Sequence, residues 1–439
     1  MTEVLEPIID RGSGTGALTA LAALGAQEEY MYGGESLWTP TITQHTPFTV
    51  TQRLVRSFSK VSSYLGNTVQ MDLFPRESGD LFTNMYLKCS LPALPSGSGA
   101  YTEMIGRALI AKAEFLVDGE VYETITDDWY MIHDQLFLDA DEKLGLYNIV
   151  SNGTVEGTDV TSVWPNQIDL LIPFDFFFCH RFTHAKKRDK PFFPMCAVGL
   201  STVSVRITFN TQAWITNYTG SIDILDPKLL VEEVWLSQEE RAYWKRTPLT
   251  LKIPKAWREA KQEFKNGVAR INLTPNFPVS MMVWFIRNKK YEKQDPNYYS
   301  SRYAYGYTTK YIKATTPVTF FNGVQLNYID TIDFATIFLN NNNILSNFPG
   351  GLYYTFKQPI DHGFTVPTKS LYMYCFSETP HEYVQSGALD FSKYNAQTTF
   401  LDIKFLSQYA AQIESEFSLN MYYYGYSTLQ ISGGKCKLS

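Results

Sequence analysis

The sequence predicts an all-β protein built as two tandem antiparallel β-sandwiches with a few short helices. Three observations carry this reading. Apolar and polar residues alternate in short runs such as Val203-Ser204-Val205-Arg206-Ile207-Thr208-Phe209, the period of a strand with one buried face. Two dipeptides that tolerate the positive φ of tight hairpins, Asp118-Gly119 and Asn322-Gly323, each sit between strand-like runs. Helix signals are few and short, and many strands with few helices indicate a sandwich or barrel.

Taken in order, Gly12-Ser13-Gly14-Thr15-Gly16 reads as a flexible tail, and Ala17 to Tyr30, rich in Ala and Leu, as a short helix. Leu81 to Leu87 is a long apolar strand. Phe115-Leu116-Val117 turns through Asp118-Gly119 into Glu120-Val121-Tyr122. Thr126-Asp127-Asp128 caps a helix from Trp129 to Leu136. Ser237-Gln238-Glu239-Glu240 fits a capping box, in which Ser237 accepts from first-turn amides and Glu240 reaches back. Met281-Met282-Val283-Trp284-Phe285-Ile286 is apolar on both faces and reads as a central strand, bounded by Pro278 and Arg287-Asn288. Val318 to Phe321 turns through Asn322-Gly323 into Val324-Gln325-Leu326. Thr379-Pro380-His381-Glu382 is a second box, with Pro at the first helical position where its missing N–H costs nothing. Leu401-Asp402-Ile403-Lys404-Phe405 alternates again. The two hairpins lie 204 residues apart, and each has a long apolar strand upstream. The Ser237 box falls between them, followed by Thr247-Pro248. The expected domains are therefore a tail and helix over 1–30, a first sandwich over 31–236, a linker over 237–248 and a second sandwich over 249–439.

Composition excludes several classes. Aromatics are 15% and charged residues 19%, the reverse of a disordered chain. No run approaches 18 apolar residues, so no transmembrane helix is expected. The start, Met1-Thr2-Glu3-Val4-Leu5-Glu6, is acidic where a secretory signal is basic. A net charge of −6 argues against a chain that coats nucleic acid. Five cysteines without a CxxC pair argue against a disulfide framework and for a reducing compartment.

The search for chemistry assigns no catalytic, cofactor-binding or metal residues. Cys179-His180-Arg181-Phe182-Thr183-His184 offers zinc-type ligands but lacks a second pair, and its surroundings are not helical, so it reads as a loop. Gly12 to Gly16 lacks the strand before it and the Lys-Ser/Thr after it that a phosphate cradle needs. Asp139-Ala140-Asp141-Glu142 lacks the glycine and distal Glu of a calcium loop and reads as a solvated turn. Lys186-Lys187-Arg188-Asp189-Lys190 reads as a solvated basic loop. No Gly-x-Ser-x-Gly elbow is present, and the six histidines stand apart from any acid–base pattern. The tyrosines from Tyr291 to Tyr311 could bind glycans or partners, but packing is the plainer reading. Asn152, Asn217 and Asn272 match the glycosylation pattern, which has no use without a secretory route.

Several segments in order resemble one family, the major capsid proteins of nucleocytoplasmic large DNA viruses such as iridoviruses, marseilleviruses and phycodnaviruses. They are Gly25 to Gly34; Pro75-Arg76-Glu77-Ser78-Gly79-Asp80-Leu81 through Pro92; Ala108 through Gly119 with Trp129 to Leu136; Ile172-Pro173-Phe174 to Phe178; and Trp235 to Arg241. Beyond these come Phe277-Pro278-Val279 to Asn288, then Tyr374-Cys375-Phe376-Ser377 with Ser386-Gly387-Ala388-Leu389-Asp390-Phe391-Ser392, and Ile431-Ser432-Gly433-Gly434. Two departures touch loops: Lys186 to Lys190 and Phe192-Phe193-Pro194-Met195 replace a short Ala-Leu-Pro-Leu run, and Gln385 stands where the family has Pro.

The resemblance implies two eight-stranded jelly rolls per chain and a structural, non-enzymatic role as the major capsid protein. It implies homotrimeric, pseudo-hexagonal capsomers that tile an icosahedral virion shell assembled in the host cytoplasm. The partners it implies are further copies of the chain, neighbouring capsomers, and penton and minor capsid proteins. An inner viral membrane could be reached by the N-terminal segment; no direct nucleic-acid contact and no cofactor are expected. The rival readings are a minor capsid or scaffold protein of the same viruses and a glycan-binding jelly roll.

Overall fold

The structure, a computed structural model, describes residues 46–56, 61–95, 98–151, 167–179, 191–259, 264, 268–301, 303, 320–321, 324–325, 332–382 and 386–438. Contacts divide the chain into the units Met1–Pro47 and Phe48–Ser439. The second unit carries the architecture.

Its first half supplies β1 (Phe48–Arg56), β2 (Thr68–Leu73), β3 (Leu81–Pro92), β4 (Ile110–Val117), β5 (Glu120–Thr126), β6 (Gln167–Pro173), β7 (Val203–Phe209) and β8 (Leu225–Leu236). They form two antiparallel sheets, ordered β1-β8-β3-β6 and β2-β7-β4-β5. The second half supplies β9 (Leu249–Arg258), β10 (Val268–Asn272), β11 (Pro278–Asn288), β12 (Ile332–Leu339), β13 (Asn342–Pro349), β14 (Tyr372–Cys375), β15 (Phe400–Phe405) and β16 (Phe417–Ser432). Their sheets run β9-β16-β11-β14 and β10-β15-β12-β13. Counted within each half, both read 1-8-3-6 and 2-7-4-5. Eight strands wound this way in two sheets make a jelly roll, and the chain makes two. A last strand, β17 (Lys435–Leu438), pairs with the end of β16.

The alternating runs do what their period requires. In β7, Val203, Val205, Ile207 and Phe209 are buried, while Arg206 lies half-exposed and bonds Glu114 of β4 at 2.7 Å. Strand β11 is different: from Val279 to Asn288 every residue is buried. Met282, Trp284 and Ile286 fill the second sandwich's core. Met281, Val283 and Phe285 join the core of the first. A strand with protein on both faces has no solvent side to make polar, which explains its uninterrupted apolar run.

Among the described residues the α- and π-helices of five or more residues are α1 (Ile105–Leu109), α2 (Asp127–Leu136), α3 (Ala140–Ser151), α4 (Gln238–Arg246), α5 (Gly350–Lys357, a π-helix continued by Gln358–Asp361) and α6 (Ser407–Glu416). Thr126 caps α2 by accepting from Trp129 N at 3.3 Å. Ser237 caps α4 by accepting from Glu240 N at 3.3 Å. Helix α4 buries none of its residues; acidic side chains in its first turn and basic ones in its last complement its dipole.

Two expectations are corrected, and the internal repeat is placed differently. The Asn322-Gly323 turn itself lies outside the described residues, but its flanks pair as the hairpin requires, Phe320 with Gln325 and Phe321 with Val324, in an isolated two-stranded ladder. The second-half counterpart of Asp118-Gly119 is instead Asn340-Asn341 between β12 and β13, with φ of 49° and 62°. Asn reaches this left-handed region without glycine because its short amide bonds locally. Thr379 to Glu382 is a turn, not a helix: Glu382 N donates to Thr379 O at 3.2 Å, while Thr379 N is tied to Ser386 Oγ at 2.7 Å. Asp139 to Glu142 opens α3. Asp139 N donates to Glu142 Oε2 at 3.1 Å, the reach-back half of a capping box, with Asp in the Ser position. The expected tail and helix, Gly12–Gly16 and Ala17–Tyr30, lie outside the described residues.

Candidate assembly surfaces

The two sandwiches meet along a buried seam organised by α2. Because α2 starts as β5 ends, its first turn is delivered straight onto the outer face of β9-β16-β11-β14. Asp128, 2% exposed, receives Arg287 of β11, with Nη1 to Oδ2 at 3.2 Å and Nη2 on the other oxygen, and Arg258 of β9 lies 3.8 Å away. Trp129 stacks on Tyr424 with ring centroids 5.6 Å apart, and Thr126 Oγ1 lies 3.0 Å from Tyr422 Oη. Farther along, Gln135 Oε1 accepts from Thr368 N at 2.8 Å and Thr368 Oγ1 at 2.7 Å. Lys369 pairs with buried Glu103 at 3.1 Å, and Tyr122 Oη donates to Cys436 O at 2.8 Å. Polar groups buried in pairs are costly to separate, so the seam holds the sandwiches in one register.

Two carboxyls near the seam are driven toward the neutral form. Burial pushes Glu123 up to about 8, and Asp175 adds to it, while a bond from Phe177 N at 2.8 Å opposes the shift. Asp127 is pushed up by burial and by the adjoining Asp128 charge.

Among the described residues, His133, Asp134 and Asp175 form a group with metal-ligand chemistry. Arg107, fully buried, already occupies it. Its guanidinium bonds both Asp134 oxygens at 2.8 and 2.9 Å and Asp175 at 3.2 Å, and lies 4.3 Å from the Tyr130 ring centre. Two carboxylates closed by one arginine make an internal ion-pair cluster. Residues 107, 134 and 175 are far apart in the chain, and nothing local marks them.

The other sequence candidates scatter. His180 to His184 and Lys186 to Lys190 lie outside the described residues. None of the five cysteines forms a disulfide. Burial, then the Asp169 charge, pushes Cys89 up to about 12, and burial pushes Cys196 up to about 11, which suits inert core thiols. Of the tyrosine cluster, Tyr291, Tyr299 and Tyr303 are buried and Tyr298 packs on Tyr291 at 5.8 Å, so the described part turns inward; Tyr305, Tyr307 and Tyr311 lie outside it. Asn217 and Asn272 are exposed, and Asn217 Oδ1 accepts from Ala100 N; Asn152 lies outside the described residues.

Two apolar surfaces were not anticipated. On the outer face of β1-β8-β3-β6, Val50 and Leu54 are about half exposed, and Leu54 lies opposite Leu230, which lies opposite Tyr86. With α3 this face forms a groove of about 400 Å³. In the second half, α5 exposes Leu352 (69%) and Ile360 (65%) beside a shallow groove of about 490 Å³. The sequence signal was available: apolar residues on both faces of an edge strand.

Comparison with known proteins follows the same division into halves. A model described as major capsid protein N-terminus matches residues 36–230, and one described as large eukaryotic DNA virus major capsid protein matches residues 240–436. The chain belongs to the major capsid protein family of large eukaryotic DNA viruses. The boundary between the two matches falls at the end of β8 and the start of α4.

Curated relatives of this capsid protein include the major capsid protein of Phaeocystis pouchetii virus, 20% identical over 95% of this chain and 98% of the relative. That of Paramecium bursaria Chlorella virus 1 is 23% identical over 89% of this chain and 87% of the relative. Among solved structures, VP54 of the latter virus aligns with a TM-score of 0.71 at 20% identity, covering 92% of this chain and 99% of VP54. The faustovirus major capsid protein aligns with a TM-score of 0.69 at 12% identity, covering 98% of each chain. The shared fold is the double jelly roll. The family's role is structural, not enzymatic, and its place is the capsid shell of the virion.

Proposed function

We propose that three copies of this capsid protein close into a pseudo-hexagonal capsomer and that such capsomers tile the icosahedral shell. On this reading the domains run over 31–236 and 249–439, joined through 237–248. One observation carries the reading: both halves share the strand order 1-8-3-6 and 2-7-4-5, and a buried seam sets them side by side. Three chains then present six like sandwiches. Closed rings of identical chains are common and need only one repeated contact.

The finer parts follow from the same role. Neighbouring capsomers, penton and minor capsid proteins are the contacts, residues 1–30 face an inner membrane, and assembly occurs in the host cytoplasm. The decisive measurement is light scattering of the purified chain with electron microscopy of the same fraction. Three chains of 50.2 kDa give about 150 kDa with hexagonal outlines; a monomer would overturn the reading. Unchanged shell assembly after deletion of residues 1–24 would sink the membrane role.

A further inference from the structure

We propose that α5 of one copy seats on the outer face of β1-β8-β3-β6 of the next, repeating between chains the contact that α2 makes within one. This rests on the three-chain ring proposed above. In such a ring the sandwiches alternate, so every contact between chains joins a second half to the first half of the next. A heterologous contact of this kind needs two different patches on one molecule, and the exposed faces of α5 and of the β1 sheet are two such patches.

The internal repeat identifies them as partners. Helix α2 follows β5 without a break, and α5 follows β13, the corresponding strand, in the same way. Trp129 is the third residue after β5, and Leu352 is the third after β13. Trp129 packs on Tyr422, the sixth residue of β16, which lies opposite Val283, the sixth of β11. In the first sandwich the sixth residue of β8 is Leu230, and it lies opposite Tyr86, the sixth of β3. By strand position, the surface that receives Trp129 inside the chain corresponds to the one around Leu230, Tyr86 and Leu54, where α3 forms one wall of the groove and Leu54 stands at the place of Arg258. The residue that takes Trp129's place is Leu352, 69% exposed. Within the chain this surface is covered by a helix of the neighbouring sandwich, and the ring supplies the same helix from the next copy.

Cysteine cross-linking tests the pairing. Oxidation of L54C/L352C should give covalent species up to three chains on non-reducing gels. Each single variant and the wild type, with half-buried Cys179 and Cys436 as background, should give none. L352D should weaken the trimer at least tenfold, and L54K combined with L352D should restore part of it. The cross-link adds no charge, so it decides the matter if L352D fails to fold. Absent cross-links with an undisturbed L352D trimer would overturn this interface and leave the ring standing. The β1 face would then be covered by another occupant, such as residues 1–45 or a different protein. A monomeric wild type would overturn both.

Discussion

Asp128 and Arg287 are each at most 3% exposed and come from different sandwiches, and their ion pair is the closest neutralising contact of Asp128. Arg287→Ala leaves the buried Asp128 carboxylate with the more distant Arg258, 3.8 Å away, and urea unfolding should show a loss of about 3 kcal/mol. Replacing both partners, as D128L/R287M, should recover most of that loss, because the penalty lies in the orphaned charge. Glu123 provides a pH test. Its folded value of about 8 stands above the ordinary 4.5, so the native protein keeps a proton that the unfolded chain releases. Stability from this group is then highest below about pH 4.5 and falls as pH rises toward 8. Glu123→Gln, which keeps the acceptor for Phe177 N, should raise the melting temperature at pH 8 and leave it nearly unchanged at pH 4.5. None of these residues was legible as a site. A capping Thr or an Asp-Gly turn acts within a few positions, whereas Asp128 meets Arg287 across 159 residues and nothing local records the meeting.

Elements that depend on local chemistry were the legible ones. Strands with one wet face showed their period, and the caps at Thr126 and Ser237 stand where their spacing put them. Helix α3 was missed because its box starts with Asp rather than Ser or Thr, and its acidic run looked solvated. The Thr379 box failed because its amide found Ser386 instead of a helical turn. The pairing of β11 with β16 depends on a feature no period reveals. Gly425 lies where β11 shifts register between Val279 and Met281, and a Cβ there would collide with the Pro278 carbonyl. Gly425→Ala should cost about 3 kcal/mol in urea unfolding and loosen this edge of the sheet. A control at Gly145, where a Cβ meets nothing, should leave stability unchanged or slightly raised.

For the whole molecule, the sequence pattern pointed to two sandwiches and the family resemblance named the shell. The Asn322-Gly323 hairpin exists but is not the counterpart of Asp118-Gly119; Asn340-Asn341 is, and it lies close enough along the chain to imply the same two halves. What stayed hidden was the surface logic. An exposed Leu on an edge strand is unremarkable alone, and becomes informative only when the other half shows the same site covered. The ring prediction belongs to this scale. Light scattering at about 150 kDa, with hexagonal outlines by microscopy, is the expected result.

The two-faced burial of β11 also sets a schedule. Synthesis proceeds at roughly 5–20 residues per second. The first sandwich therefore emerges on the order of 10–40 seconds before the last strands of the second. Throughout that interval Trp129 and the first turn of α2 wait on the nascent chain for a surface not yet made. Docking of the complete seam can begin only once those strands have emerged, and any delay near the end of translation lengthens the time for which an aromatic face stands open to other chains.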